Sequence, residues 1–166
     1  MNSNLTKNTD LNYYNIYEDY TNCGSFALRI KEWYEPDISF HCDNDDYATQ
    51  MIAKGYSYEK ILSKLLKRNI EGIKRDFGDE ITILNSLEEY VANDDEELIA
   101  FRVGYEEYPF NTASTDFHFR VFRDGKWQEK CGTGEVDSSI ELEPNYPWDL
   151  YNWLYDSDIV FFTHKI

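Results

Sequence analysis

The sequence has little of what a membrane or secreted protein needs. Its longest apolar run near either end is Ile159-Val160-Phe161-Phe162, where a bilayer-spanning helix takes about twenty residues. The opening Met1-Asn2-Ser3-Asn4-Leu5-Thr6-Lys7 has no apolar stretch of a secretory signal. Three cysteines, an odd number at scattered positions, do not make a disulfide framework. Basic residues number 16 against 32 acidic ones, for a net charge of −16, which argues against direct capture of nucleic acid or of an anionic membrane. Cofactor signatures are missing too. His41-Cys42 beside Asp43, Asp45 and Asp46 has no second ligand pair at usable spacing. The acidic run lacks the glycine a calcium loop needs at its sixth position, and Gly132-Thr133-Gly134 is too short to cradle a phosphate. These absences predict a soluble cytoplasmic protein with no cofactor and no metal.

Aromatic bulk is what the chain has in quantity: 14 Tyr, 10 Phe and 4 Trp in 166 residues. That content excludes intrinsic disorder, and the length suits one domain with its own core. The charge is segmented. Residues 54–75 hold 7 basic and 2 acidic residues, whereas residues 76–166 hold 6 basic and 21 acidic. A basic helix face in an acidic body fits this pattern, and so does a dipolar molecule whose acidic side meets a basic partner.

Residues 1–20, rich in Asn, Asp, Thr and Tyr, read as an irregular arm whose tyrosines pack on a single domain spanning 21–166. Phe26, Ile30 and Trp33 fall at helical spacing behind Asn22, a plausible N-cap, and Pro36 ends the segment. This predicts a helix from about residue 24. A polar loop around Asp43-Asn44-Asp45-Asp46 then leads to the strongest helical pattern, Ile61, Leu62, Leu65, Leu66, Ile70, Ile73 and Phe77, stopped by Gly78. Strand patterns follow at Ile81–Leu84 and 98–104, with Asp94-Asp95-Glu96-Glu97 between them as an exposed turn. Residues 116–123 alternate, Asp124-Gly125 turns, and 126–131 returns. Residues 158–163 form a last, central strand, His164 beyond it is solvated, and Trp148, Tyr151, Trp153 and Tyr155 make a packed flap. The class is α+β, with N-terminal helices on an antiparallel sheet.

Cys23 stands at the predicted helix start, where free backbone N–H groups and the helix dipole favour a thiolate. His118 lies on the hairpin strand, on the face opposite Phe117, Phe119 and Val121. A helix-borne thiol with an imidazole from a sheet is the arrangement of cysteine acyl-transfer enzymes. A small buried cysteine and a structural strand histidine would look the same in sequence.

The wording around these residues resembles a family. Asn22-Cys23-Gly24-Ser25-Phe26-Ala27-Leu28, with Asp116-Phe117-His118-Phe119-Arg120, Asp124-Gly125-Lys126-Trp127 and Lys130-Cys131-Gly132, is similar to papain-fold cysteine hydrolases of the NlpC type among small bacterial and phage proteins. The likeness runs on through Val136, Asp137 and Ile140 to Pro144 and touches a little under half of the chain. It implies a papain-like fold, a peptide or amide substrate, Cys23 as nucleophile, His118 as general base and acid, and a third polar group on the strand after His118. With a two-residue turn at Asp124-Gly125, Arg120 faces Glu129 and His118 faces Cys131. Glu129 is then diagonal to His118 and takes the orienting role. The Cys23 N–H and the Asn22 amide are candidate oxyanion donors, although plain N-capping also accounts for Asn22. The relatives carry His where Glu129 stands and Pro where Cys131 stands, so both a Cys–His–Glu triad and a degenerate site on a retained scaffold stay open.

A second expectation belongs to another class. The acidity outside one helix suits a non-enzymatic, phage-type inhibitor that imitates nucleic acid in the basic channel of a bacterial defence nuclease. Asp94, Asp95, Glu96, Glu97, Glu106 and Glu107 are the partner-binding candidates of that reading.

Overall fold

The computed structural model describes residues 5–36, 42–138, 148–150 and 153–166, with the main chain alone at 149, 150 and 153. Helices come first. They are α1 (Tyr13–Ile16), α2 (Cys23–Ala27), α3 (Asn44–Ala53) and α4 (Tyr58–Phe77). Strands follow as β1 (Ile81–Ile83), β2 (Glu96–Tyr108), β3 (Thr112–Arg123), β4 (Lys126–Lys130), β5 (Val136–Asp137), β6 (Asp149–Leu150), β7 (Trp153–Leu154) and β8 (Val160–Lys165). Six strands form one antiparallel sheet in the order β1-β8-β2-β3-β4-β5, and β6 and β7 pair separately. The protein is therefore α+β. Among the described residues no helix is long and apolar enough to cross a membrane.

Helix α4 forms for the reasons its sequence gives. Ser57 caps it by accepting from the Lys60 N–H, and Lys74 and Arg75 sit in the last turn, where the dipole favours cations. Gly78 ends it at φ +52°, a conformation that costs glycine little. All seven residues of the apolar stripe are buried. They meet Ile99, Phe101, Val103 and Tyr105 of β2, Phe119 and Val121 of β3, and Phe162 of β8. The opposite sheet face is covered as well: Leu98, Ala100 and Trp127 pack with Trp148 and Tyr155. Gly104 admits the closest approach on that side, since a Cβ there would fall 2.2 Å from the Leu154 carbonyl oxygen.

Several expectations change. The helix at Cys23 lasts only five residues, because Arg29 adopts φ +51° and the Ile30 N–H returns to the Ser25 carbonyl. That closure is a Schellman-type stop. Trp33 is consequently exposed rather than core. The polar loop at 43–46 is instead the start of α3, with Asp43 accepting from the Asp46 N–H and Asp45 and Asp46 in the first turn. Within the described part of the N-terminal arm, α1 buries Tyr14, and Lys7 bridges to Ile30.

Glu97 does not belong to an exposed turn. It is 4% exposed, on the core side of β2, where Arg123 (2.5 and 2.7 Å) and Arg29 (2.6 and 3.0 Å) enclose it. His164 is also buried, edge-on to Phe77. Of the other candidate surface acids, Asp94, Asp95, Glu106 and Glu107 are exposed and Glu96 is half-buried. His41, Tyr151, the Trp153 side chain and the stretch from Ile140 to Pro144 lie outside the described residues.

Candidate active site

The β3–β4 hairpin pairs Arg120 with Glu129, Val121 with Gln128 and Phe122 with Trp127, the register expected from a two-residue turn. His118 is two residues beyond the last pair, on the same face as Arg120. Its Nε2 lies 2.9 Å from Glu129 Oε2, and both side chains are almost fully enclosed. Arg120 donates from Nε to the same oxygen at 2.8 Å. Burial by itself would raise the Glu129 pKa, but the bonds and charges of His118 and Arg120 outweigh it and hold the group down at about 2. Glu129 is therefore a carboxylate at neutral pH. The imidazole is clamped by rings as well, with Tyr155 tilted across it at 5.5 Å and Trp148 edge-on at 5.8 Å. Trp148 in turn lies under the Arg120 guanidinium, 4.4 Å from ring centre to Cζ.

Cys23 opens α2 and lies against the main chain of β3. Its thiol donates toward the Phe117 carbonyl at 4.0 Å. Gly24 allows this approach: a Cβ there would sit 2.9 Å from the Tyr34 ring and 3.3 Å from the Phe119 ring. Cys23 and His118 share the lining of one cavity of about 260 Å³ with Asn22, Trp33, Glu35, Asp116, Phe117, Cys131, Gly132 and Tyr155. Two residues 95 positions apart in the chain thus border one space. The thiol bonds the carbonyl of Phe117, not the imidazole. Burial pushes the Cys23 thiol far above its ordinary range, and Asp116 adds to the rise. The helix start does not make it a resting thiolate.

Asn22 is a capping residue. Its Oδ1 accepts from the Ser25 N–H at 3.0 Å, and its Nδ2 donates to the Tyr34 carbonyl at 2.7 Å. The side-chain amide is committed there. The Cys23 backbone N–H, in the first turn and without an intrahelical acceptor, is the remaining oxyanion donor of the two considered. Lys130 was not singled out by the sequence, yet it holds the neighbourhood together. Its buried ammonium donates to the carbonyls of Glu18, Thr21 and Gly132 at 2.8, 2.8 and 2.7 Å. An isolated lysine on a strand gives no pattern from which this could be read.

His118, Glu129 and Cys131 place ligand-type atoms within 4.8 Å of one another. Against a metal there, Arg120 already contributes a positive charge to Glu129. Burial, followed by Glu129 itself, pushes the Cys131 thiol up to about 12. The three are better suited to hydrogen bonding than to coordination.

No protein-family model, no curated protein and no solved structure matches the chain.

Proposed function

We propose that the protein is a cysteine hydrolase of papain-like, NlpC-type architecture that cleaves an amide or thioester through an acyl-enzyme. The observation that supports this best is the 2.9 Å His118–Glu129 contact on the cavity that Cys23 lines. With Nε2 engaged by Glu129, the ring nitrogen left to act is Nδ1.

Because the resting thiol is neutral, activation comes with attack. Rotation of the Cys23 side chain carries Sγ from the Phe117 carbonyl toward the imidazole. His118 Nδ1 takes the S–H proton as sulfur bonds the substrate carbonyl carbon, and the carbonyl electron pair moves onto oxygen, facing the Cys23 N–H. Collapse expels the amine or thiol, which leaves with the proton from His118. Water, deprotonated by the same nitrogen, then hydrolyses the thioester. Ionised Glu129 stabilises the imidazolium formed in both halves without taking its proton.

A p-nitrophenyl ester tests this reading. The wild-type chain releases a burst of one equivalent of nitrophenolate. Cys23→Ala abolishes the burst, and His118→Ala slows it by roughly 10²–10⁴-fold. A folded wild-type protein with no burst, or a burst indifferent to His118, overturns the proposal.

The second reading, a non-enzymatic acidic protein acting on a basic protein surface such as a nucleic-acid-binding channel, retains the exposed Asp94, Asp95, Glu106 and Glu107. It loses Glu97, which is internally paired. Full biological function in Cys23→Ala would favour it over the hydrolase.

A further inference from the structure

Among the described residues the fully buried carboxylates have guanidinium partners, whereas a half-buried one at the cavity does not. Glu97 has Arg29 and Arg123, Glu129 has Arg120, and Asp76 has Arg75. The hydrogen-bond donors to Asp116 among the described residues are neutral: the Tyr155 hydroxyl at 2.6 Å to Oδ2, and its own neighbour's N–H, that of Phe117, at 2.8 Å to Oδ1. Asp116 lines the cavity beside Cys23 and His118. At the same cavity, Glu35 is exposed and accepts the Trp33 indole N–H at 3.0 Å. An aromatic face and a carboxylate therefore stand together there. Phe117 and Tyr155 also line the cavity, and among the described residues no lysine or arginine does. Lys130, the nearest buried ammonium, has its three donors on backbone carbonyls.

This chemistry has a sign. A carboxylate or phosphate entering the cavity would meet Asp116 and Glu35 with no cation to offset them. An ammonium or guanidinium would gain both carboxylates and the ring faces, and the net charge of −16 would draw it in from solution. Burial raises the Asp116 pKa against the lowering by the Tyr155 and Phe117 hydrogen bonds and by His118, and an arriving cation would add to that lowering.

We propose that the cavity selects substrates carrying a positively charged amine or guanidinium close to the scissile carbonyl, such as a lysyl or arginyl peptide or a polyamine amide, with Asp116 and Glu35 as the binding carboxylates. This rests on the hydrolase reading of Cys23 and names the substrate class of that site.

Charged thiol reagents test the selection without knowledge of the substrate. Cys23 in the full chain is labelled with 2-aminoethyl, 2-sulfonatoethyl and neutral methyl methanethiosulfonate at low ionic strength. Each rate is divided by that of the same reagent with 2-mercaptoethanol. The expected result is an amine reagent about tenfold or more faster than the sulfonate. Asp116→Asn and Glu35→Gln each shrink that ratio, while the neutral reagent still labels Cys23 and so reports that the cleft remains formed. Glu35 is exposed, so its variant keeps the test valid should Asp116→Asn fail to fold. A sulfonate rate equal to or above the amine rate, or a ratio unmoved by both substitutions, overturns the inference. Failure of the hydrolase reading shows separately, as a nitrophenyl ester burst that is absent or indifferent to His118 while the charge ratio persists.

Discussion

Two glutamates, Glu97 and Glu129, are buried to the same extent, and each carries two basic partners. The difference lies in what the partners are and what stands beyond them. Glu97 is closed between two arginines, Arg29 and Arg123, which stay charged at any relevant pH. Glu129 is shared between one arginine and a histidine, and that histidine lines a cavity that Cys23 lines too. Strand β3 supplies a residue to each cluster, Arg123 to one sheet face and His118 with Arg120 to the other. A permanently charged enclosure is suited to holding α2 against the sheet. A titratable one is suited to moving a proton.

The sharpest way to break the comparison is to remove one carboxylate at a time. Glu97→Ala leaves the buried Arg123 and the half-buried Arg29 without a counter-charge and should cost about 3–5 kcal/mol in urea unfolding. Glu129→Gln keeps the shape and an acceptor, so its loss should lie near the lower end of that range, about 3 kcal/mol, while the ester burst should fall far more than the stability does. Equal stability losses in the two variants would mean that both clusters are structural.

Acid titration separates them next, once His164 is accounted for. The His164 ring is buried with neither nitrogen hydrogen-bonded among the described residues. Burial, aided by Lys7, lowers its pKa from 6.5 to about 4. The unfolded chain therefore binds the extra proton between these values, and stability present above pH 6.5 is lost as the pH falls toward 4, by about 3 kcal/mol. His164→Leu should flatten that part of a thermal-melt pH series. Glu129, held at about 2 from 4.5, likewise favours its deprotonated form in the folded state, in a lower window. It contributes above pH 4.5 and fades as the pH falls toward 2. A Glu129→Gln series with an unchanged slope below pH 4.5 would show that His118 and Arg120 do not hold the carboxylate down.

Gly24→Ala should cost about 1–3 kcal/mol, because the new methyl meets Tyr34 and Phe119. It should slow the burst as α2 shifts off β3. Charge reversal at Glu106 and Glu107, exposed on the ribbon and remote from both clusters, should change stability by less than about 0.5 kcal/mol.

Much of the machinery was legible where the chain itself fixes geometry. The two-residue turn at Asp124-Gly125 set the β3–β4 register and brought Glu129 to His118. The apolar spacing from Ile61 to Phe77 gave α4. What failed were places where a distant partner decides. Glu97 sits in an acidic run and looks solvated, yet it shares strand parity with Ile99, Phe101 and Val103, and Arg123 shares parity with Phe119 and Val121. Reading parity outward from the apolar residues would have put both on the core face. The early stop of α2 depends on Arg29 in a left-handed conformation, held to Glu97 from 68 residues away, which no local pattern shows. Helix α3 was missed because its apolar stripe is thin: Ala48 and Met51 are its buried residues, and its identity rests on the Asp43 cap.

The Lys130 ammonium, which gathers the carbonyls of Glu18, Thr21 and Gly132, also bears on timing. His118 and Glu129 are 11 residues apart and can meet as soon as their hairpin forms, whereas Lys130 reaches Thr21 across 109 residues and Cys23 reaches the Phe117 carbonyl across 94. Contacts that close so long a loop come late in folding. The His118–Glu129 pair would thus exist before Cys23 arrives. On the ribosome, the segment bearing Cys23 must wait for most of the chain before it has a surface to dock on.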